Sequence, residues 1–357
     1  MWRKILWIIT AIVVLALIFS IVSIYVSPAE AGWISLCPFA LKYILAAVAL
    51  VTVIWIFCNY KIAIPLAIVA FVGFKYFSHE YSIVDKALDD KADFKVMSYN
   101  VKDFGILEPG SKELRKKIVD TISFENPDIL CLQEAYWHNK SAEYPTIDAL
   151  VQNMNAKSYH KLTLAHFNFG DGGLAVVSRY PIVNVYTYPF EGTANGFMYV
   201  DIVMNDDTVR LYNCHLQSIL INDDEVDIRK SDGLSNRNAD KAKNLFAKYT
   251  NCASRRAIQV ETLVATLDTC PYSVLLCGDF NDVPLSYTRF SIMRSGNRLR
   301  DTFMERGSGN GRTFTLKDSD FRIDYIMHSN EFKCLRHKVL DFCIADDHYP
   351  VVAEFKR

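Results

Sequence analysis

The hydrophobic pattern divides the chain in two. From Ile5 to Val26 the sequence is a continuous apolar stretch behind Arg3 and Lys4. At 1.5 Å rise per residue it reaches roughly 30 Å, the thickness of a bilayer core. A second stretch runs from Leu36 to Phe57, with Pro38 and Lys42 near its start, and a shorter third from Ile62 to Phe74 lies between Lys61 and Lys75. These lengths predict a transmembrane anchor of two or three helices within residues 1–77. The third spans only if Lys61 and Lys75 snorkel to opposite surfaces. The first stretch is too long for a cleaved signal peptide, and further apolar segments follow it.

After Phe77 the pattern becomes that of a folded domain. Residues 78–93 are polar and charged and read as a linker, leaving 94–357 as the domain. Phe94 to Tyr99 reads as a strand. Glu113 to Phe124 places Leu114, Ile118, Val119 and Ile122 on one helical face, and Pro127 stops it. Asp128 to Gln133 is a short buried strand, Tyr144 to Met154 a helix, and Leu174 to Ser178 a strand. Met198 to Val203 and Thr208 to Leu216 alternate as antiparallel strands do. Asp223 to Asn238 is polar and reads as a loop, and Ala239 to Leu267 as a helix. Tyr272 to Cys277 is a buried strand and Ser286 to Arg294 a helix. The remaining strands are 313–315, 322–328, 339–344 and 351–355. Many strands with a few long helices predict an α/β sandwich of two packed sheets with helices outside.

Charge narrows the function. The chain has 39 basic and 40 acidic residues. Residues 1–84 hold five of the basic and two of the acidic side chains, which leaves 34 against 38 for the rest, a net of −4. A duplex-DNA binder usually shows a basic excess. Arg3 and Lys4 favour a cytoplasmic N-terminus, and the loop from Ser27 to Ser35 has no Lys or Arg. Three spans put everything after Phe77 outside the cytoplasm, and two leave it inside. Seven of the nine cysteines lie beyond residue 84 with no paired spacing, which weakly favours a reducing compartment. Cys131, Cys214 and Cys277 sit in apolar runs and read as buried thiols. The expectation is three spans in a bacterial inner membrane, with the domain outside the cytoplasm.

Four short strings hold the chemistry. They are Leu132-Gln133-Glu134, Gly278-Asp279-Phe280-Asn281-Asp282, Arg322-Ile323-Asp324-Tyr325-Ile326 and Asp346-Asp347-His348-Tyr349-Pro350. Each places a carboxylate, amide or imidazole at the end of, or within, an apolar run. Acids and amides delivered by strand ends suit a hard divalent cation beside a phosphate. Asn100 closes the first strand, where a turn residue capping the strand end is the favoured reading of the residue alone. His215 lies inside Leu211 to Leu216, where a hydrogen-bonded core histidine is the common case. Asp279 and Asn281, two apart, would point to one side of a strand, and Gly278 permits close backbone approach. Asp324 within a buried run requires a partner, and His348 is the natural one.

Together these strings resemble the endonuclease/exonuclease/phosphatase superfamily over roughly Phe94 to Phe355. The landmarks run in order. They are Asn100, the Gln-Glu at Glu134, the Gly173 to Ile182 run, His215, Asp279 with Asn281, Asp324, and Asp347 with His348. The resemblance implies a four-layer αββα sandwich of the DNase I type and Mg²⁺-dependent phosphoester hydrolysis, with Mn²⁺ as the alternative ion. It implies Glu134 as main metal ligand with Asn100 and Asp347 nearby, and Asp279 orienting or deprotonating water. Asn281 and His215 would hold the phosphate, and His348, oriented by Asp324, would contact it or assist proton transfer. Arg179 reads as structural. Asn213-Cys214-His215-Leu216-Gln217 stands where abasic-site enzymes carry a tyrosine motif, so this form is closer to the DNase I, sphingomyelinase and phosphatase relatives. The long stretch from Gln217 to Arg256 either shapes the cleft or is a surface insertion.

The expected protein is a membrane-anchored phosphodiesterase or phosphatase. Its partners would be the membrane and a phosphoester, whether a lipid head group, a small molecule or a nucleic acid, and no protein partner is implied. The alternatives are a nuclease and a catalytically inactive tethered binding protein.

Overall fold

The computed structural model describes the chain except for residues 83–86, 107–110, 139–145, 220–235, 317–318 and 343–346. It begins with helix α1, Trp2–Ser23, then a 3-10 segment, Gly32–Ala40, and helix α2, Leu41–Phe77. Helix α2 breaks at Asn59, whose φ of −166° and ψ of 99° are extended. The Asn59 side chain then caps the next turn by accepting from the Lys61 backbone N–H at 3.2 Å. The two halves fold back on each other. A Cβ built on Gly73 would lie 2.9 Å from a methyl of Leu45, whereas 28 residues of straight helix would separate them by roughly 40 Å. Leu6, Val51, Trp55, Ala63 and Leu66 pack together at one end of this three-segment bundle. The helices are long and apolar enough to cross a membrane, and much of their apolar surface faces outward.

The rest forms two mixed six-stranded sheets. The first has the order β13-β14-β1-β2-β4-β3, from Lys333–Val339, Val351–Lys356, Phe94–Asn100, Ile129–His138, Gly170–Ser178 and Ser158–Phe167. The second has the order β5-β6-β7-β8-β12-β9, from Ile182–Pro189, Gly196–Met204, Asp207–His215, Ser273–Asp279, Asp324–His328 and Arg300–Asp301. A separate hairpin pairs β10, Phe314–Leu316, with β11, Ser319–Phe321. Strand alternation assigns the layers. Val96, Ile129, Cys131 and Val176 meet Val200, Leu211, Leu275 and Cys277 between the sheets. The opposite face of the first sheet, with Met97, Leu130 and Leu132, packs on Ile118 and Ile122 of α3, Ser111–Glu125, and on Leu150 of α4, Thr146–Asn153. The opposite face of the second, with Tyr212, Val274 and Leu276, packs on Val260, Leu263 and Leu267 of α5, Asn236–Asp268. The four-layer expectation holds.

Several local expectations are revised. The strand expected over 339–344 is earlier, at Lys333–Val339, because it pairs with β14. Strands β3 and β5 were not anticipated. Their inner sides are only half-buried, so the alternation signal is weak. Most of the loop expected at Asp223–Asn238 lies outside the described residues, and α5 begins at Asn236.

Residues 78–93 are not a free tether where they are described. Ser82 bridges to Gly309, Leu88 N–H donates to Leu335 O, and Asp93 N–H to Phe355 O. Nearer α2, Asp301 receives Arg289 Nη2 at 2.6 Å and Arg322 Nη1 at 2.8 Å, all three buried. Arg322 Nη2 continues to the His79 carbonyl at 2.7 Å, and Arg289 Nη1 lies 3.2 Å from His79 Nδ1. Burial, then the Arg289 charge, pulls the His79 imidazole down to about 4. Its folded pKa is thus below the ordinary 6.5, so between those values the unfolded chain binds the extra proton and stability rises with pH. The window corresponds to about 3 kcal/mol. In thermal unfolding of the detergent-solubilised chain, the Tm loss on acidification from pH 6.5 to 4 is expected to shrink in His79→Gln. An unchanged pH slope would refute this.

Candidate active site

Strand register gathers the polar residues. Asp279 ends β8 and lies opposite His215 at the end of β7 on one side and opposite Asp324 at the start of β12 on the other. Neighbouring strands are about 4.8 Å apart, so these three side chains share one edge of the second sheet. The β7–β8 approach depends on Gly278, where a Cβ would lie 2.2 Å from the Cys214 carbonyl oxygen. The first sheet supplies Asn100 at the end of β1, and Asp347 and His348 just before β14.

Glu134 does not end its strand, as its place in the sequence suggested. β2 continues to His138, and the register with β4 shifts between Leu132 and Ala135. Glu134 sits in that bulge at φ +48°, which turns its carboxylate to the site. Asn281 is likewise not on a strand with Asp279. β8 stops at Asp279, Asn281 adopts φ +52°, and its backbone N–H caps Asp279 Oδ1 at 2.8 Å. Asn281 Nδ2 donates to the Leu216 carbonyl at 2.9 Å. Asp324 opens β12 and does not sit at its middle.

The contacts converge on two carboxylates. Asn100 Nδ2 donates to Glu134 Oε1 at 3.0 Å and to Asp279 Oδ2 at 3.1 Å. His215 Nε2 lies 3.5 Å from Glu134 Oε1 and 3.8 Å from Asp279 Oδ2, and is buried without a hydrogen-bond partner. His348 Nδ1 pairs with Asp324 Oδ2 at 3.0 Å, which turns Nε2 to Asp279 Oδ2 at 3.7 Å. Asp324 is held in turn by its backbone N–H, which donates to Thr313 Oγ1 at 3.0 Å. Lys102 Nζ approaches Asp347 Oδ2 at 3.4 Å. All eight residues singled out in the sequence thus fall in one region.

Electrostatics follow from burial and these pairings. Burial, then the neighbouring Asp324 charge, raises the Asp279 carboxyl to about 6 against the pull of both histidines. Burial lowers His348, but the charge and hydrogen bond of Asp324, with Asp279 and Asp347 behind, win and push it up to about 10. Burial also works against the Glu134 carboxylate, yet the His215 charge and the Asn100 hydrogen bond hold it below its ordinary value.

Two groups of oxygen donors could hold a cation. Ligand atoms of Asp279, Asp324 and His348 lie within 4.8 Å of one another, but His348 Nδ1 is already committed to Asp324. Glu134 and Asp347, the other group, line the same cavity, and the Asn100 amide, bonded to Glu134 through Nδ2, has its oxygen accepting from the Lys102 backbone N–H at 3.1 Å. Asp347 Oδ1 is buried without a partner, and the Lys102 ammonium stands beside the same carboxylate. An unsatisfied carboxylate oxygen among hard donors fits a divalent cation of the Mg²⁺ kind.

Sequence reasoning missed part of the site. Lys102 follows Asn100 by two residues and carried no motif signal. Gln133 and Asn213 are buried between the sheets, where Gln133 Nε2 donates to Asn213 Oδ1 at 2.7 Å and fixes the strands behind Glu134 and His215. Above the polar floor is a cavity of about 670 Å³. Ser218, Ile219, Leu245, Phe246 and Tyr249 line it, so the described residues at both ends of the Gln217 to Arg256 stretch shape the cleft. Arg179 is tied to Asp128 at 2.9 Å, in a structural role.

The gathered acids, amides and imidazoles form a polar floor suited to phosphoester chemistry. The model of the endonuclease/exonuclease/phosphatase family matches residues 97–348, and the chain belongs to that family. A domain of unknown function (DUF8431) matches residues 3–79. A Sphingomyelinase C of Bacillus cereus is 29% identical over 155 residues, 38% of this chain and 46% of that protein. The chain thus spans under half the length of the curated relatives it matches. An endonuclease/exonuclease/phosphatase family protein from Leptotrichia buccalis superposes with a TM-score of 0.52 at 17% identity, covering 74% of this chain and 100% of that one. The human Nocturnin catalytic domain gives 0.52 at 16% identity, covering 78% and 98%.

Proposed function

We propose that the chain is a membrane-anchored, divalent-metal-dependent phosphoester hydrolase, with Mg²⁺ as the favoured ion. The observation that carries this reading is the convergence of Asn100, His215 and His348 on the carboxylates of Glu134 and Asp279, at 3.0 to 3.8 Å. Glu134 and Asp347 would hold the metal, with the Asn100 oxygen beside them. When bound, the ion supplies charge that stabilises a phosphate oxygen.

The chain's own residues do the rest. Asp279, capped on Oδ1 by the Asn281 N–H, orients the attacking water through Oδ2 and takes its proton. The water oxygen bonds to phosphorus as the bond to the leaving oxygen breaks. His215 Nε2, unpartnered and aimed at the same space, and Asn281 hold phosphate oxygens. His348, fixed by Asp324, presents Nε2 as a donor to the phosphate or to the leaving oxygen. The relatives' name points to a sphingolipid phosphodiester. Within the bundle, the fold-back at Asn59 supports three spans, which would place the domain on the side of the Ser27–Ser35 loop, outside the cytoplasm.

The purified full chain in detergent is expected to hydrolyse bis(p-nitrophenyl) phosphate with Mg²⁺. EDTA should abolish the rate, and added Mg²⁺ should restore it. Glu134→Gln should raise the Mg²⁺ concentration needed by about 10- to 100-fold or more, since loss of even a residue that only orients a ligand costs that much. Full activity after chelation would sink the metal assignment.

A further inference from the structure

The catalytic cavity takes part of its wall from the N-terminal anchor, and this bears on the substrate of the hydrolase read above, on which the inference rests. The segment Gly32–Ala40 joins α1 to α2 and lies along α5. At Gly32 a Cβ would stand 2.2 Å from the Thr250 carbonyl oxygen, so the two backbones touch. Ser254 Oγ donates to the Pro28 carbonyl at 2.7 Å, and Ser27 Oγ to Glu261 Oε1 at 2.7 Å. Phe39 meets Tyr249 edge-on with ring centroids 5.8 Å apart. Leu36 and Phe39 are thereby fixed in the wall of the cavity whose floor is Glu134, Asp279 and His348. Phe314 and Phe321 of the β10–β11 hairpin line the same cavity.

The cavity is therefore charged at one end and apolar along its sides. Lys102 is the one Lys or Arg among its described lining residues, which does not suit a polyanionic strand needing a basic track. Trp33, on the same segment as Leu36 and Phe39, stacks on Phe19 of α1 with ring centroids 6.2 Å apart, and both rings are half-exposed, so the segment that walls the cavity also joins the outward-facing apolar surface of α1. Exposed tryptophan of this kind favours the membrane interface. A small soluble phosphoester would leave this wall unused. A lipid phosphoester would use both ends, with phosphate on the floor and hydrocarbon along the wall toward the bilayer.

We infer that the substrate is a phosphoester lipid drawn from the bilayer in which the chain is anchored, and that Leu36 and Phe39 of the anchor bind its hydrocarbon. The anchor is then part of the substrate site as well as a tether.

The test uses the full chain reconstituted in phosphatidylcholine vesicles doped singly with sphingomyelin, phosphatidylglycerol or phosphatidic acid. Head-group or phosphate release is measured beside hydrolysis of bis(p-nitrophenyl) phosphate. At least one lipid should be consumed when it shares the vesicle with the protein, and spared in separate protein-free vesicles. Leu36→Ser and Phe39→Ser should lower the ratio of lipid to soluble-diester rate about tenfold or more, the scale of losing apolar substrate contacts. Phe39→Leu, which keeps the apolar surface, should restore most of that ratio. The inference is overturned if the soluble diester is cleaved while every lipid survives, if lipid in separate vesicles is consumed equally fast, or if both substrates slow equally in the serine variants. Failure to cleave the soluble diester at all would instead overturn the hydrolase assignment, and this inference with it.

Discussion

Asp279→Asn is expected to lower kcat by about 10³- to 10⁴-fold, the scale of losing a positioned general base, while leaving the fold as stable as before or more so. The two halves of that expectation have one cause. Asp279 is buried, and across the ladder it faces the carboxylate of Asp324. That placement opposes its charge and raises its pKa, so the native state carries an unfavourable pair where the chemistry requires one. An amide keeps the shape, and its one oxygen can still accept from the Asn281 N–H with loss of the contact to Asn100, but it cannot take a proton from water. Removing one of two like charges relieves their repulsion. Active sites commonly hold such a trade between stability and activity. Steady-state kinetics on the soluble diester with Mg²⁺, together with Tm, checks both halves. A rate within tenfold of the parent would remove Asp279 from the reaction. A large loss of Tm would mean that the side chain is structural and that the rate loss reports misfolding.

The sequence made the floor of this site legible because its residues sit in short strings whose flanks are buried strands. Leu275 to Gly278 and Ile323 to Met327 announce two adjacent strands, and only their register was needed to bring Asp279 opposite Asp324. The layers were legible for the same reason, since alternate residues of β1 and β2 enter different cores. What stayed hidden depends on local backbone exceptions or on distant approach. Nothing in Leu132-Gln133-Glu134 distinguishes a strand end from a bulge, yet the bulge is what aims Glu134. Asn281 at positive φ gives no sign apart from asparagine's tolerance of that region. The apolar wall was invisible because Leu36 and Phe39 read as the start of a membrane helix, and their place beside Asp279 arises only when Gly32 lets the segment lie against α5. The Asn59 turn falls in the gap already visible between the apolar stretches ending at Phe57 and starting at Ile62, and the Leu45–Gly73 contact shows that the chain folds back there.

Asp324 and His348 should behave as one unit. His348→Gln and Asp324→Asn are each expected to lower kcat by about 10²- to 10⁴-fold, and the double variant should be little worse than the weaker single. The geometry predicts this, because the one hydrogen bond by which Asp324 reaches the reacting centre is Oδ2 to His348 Nδ1 at 3.0 Å. That bond sets which imidazole nitrogen faces Asp279, and the Nε2 separation of 3.7 Å depends on it. With an amide at 324 the ring can be held in the wrong tautomer, and with the ring gone Asp324 has nothing left to orient. A coupling energy close to the smaller single effect, obtained from a double-mutant cycle on kcat, is the signature. A structural role would instead appear as a Tm loss shared by both singles and added in the double. Multiplicative rate losses would show that Asp324 contributes independently, for example through its charge on Asp279, and the pairing would then be a packing feature and not part of the proton path.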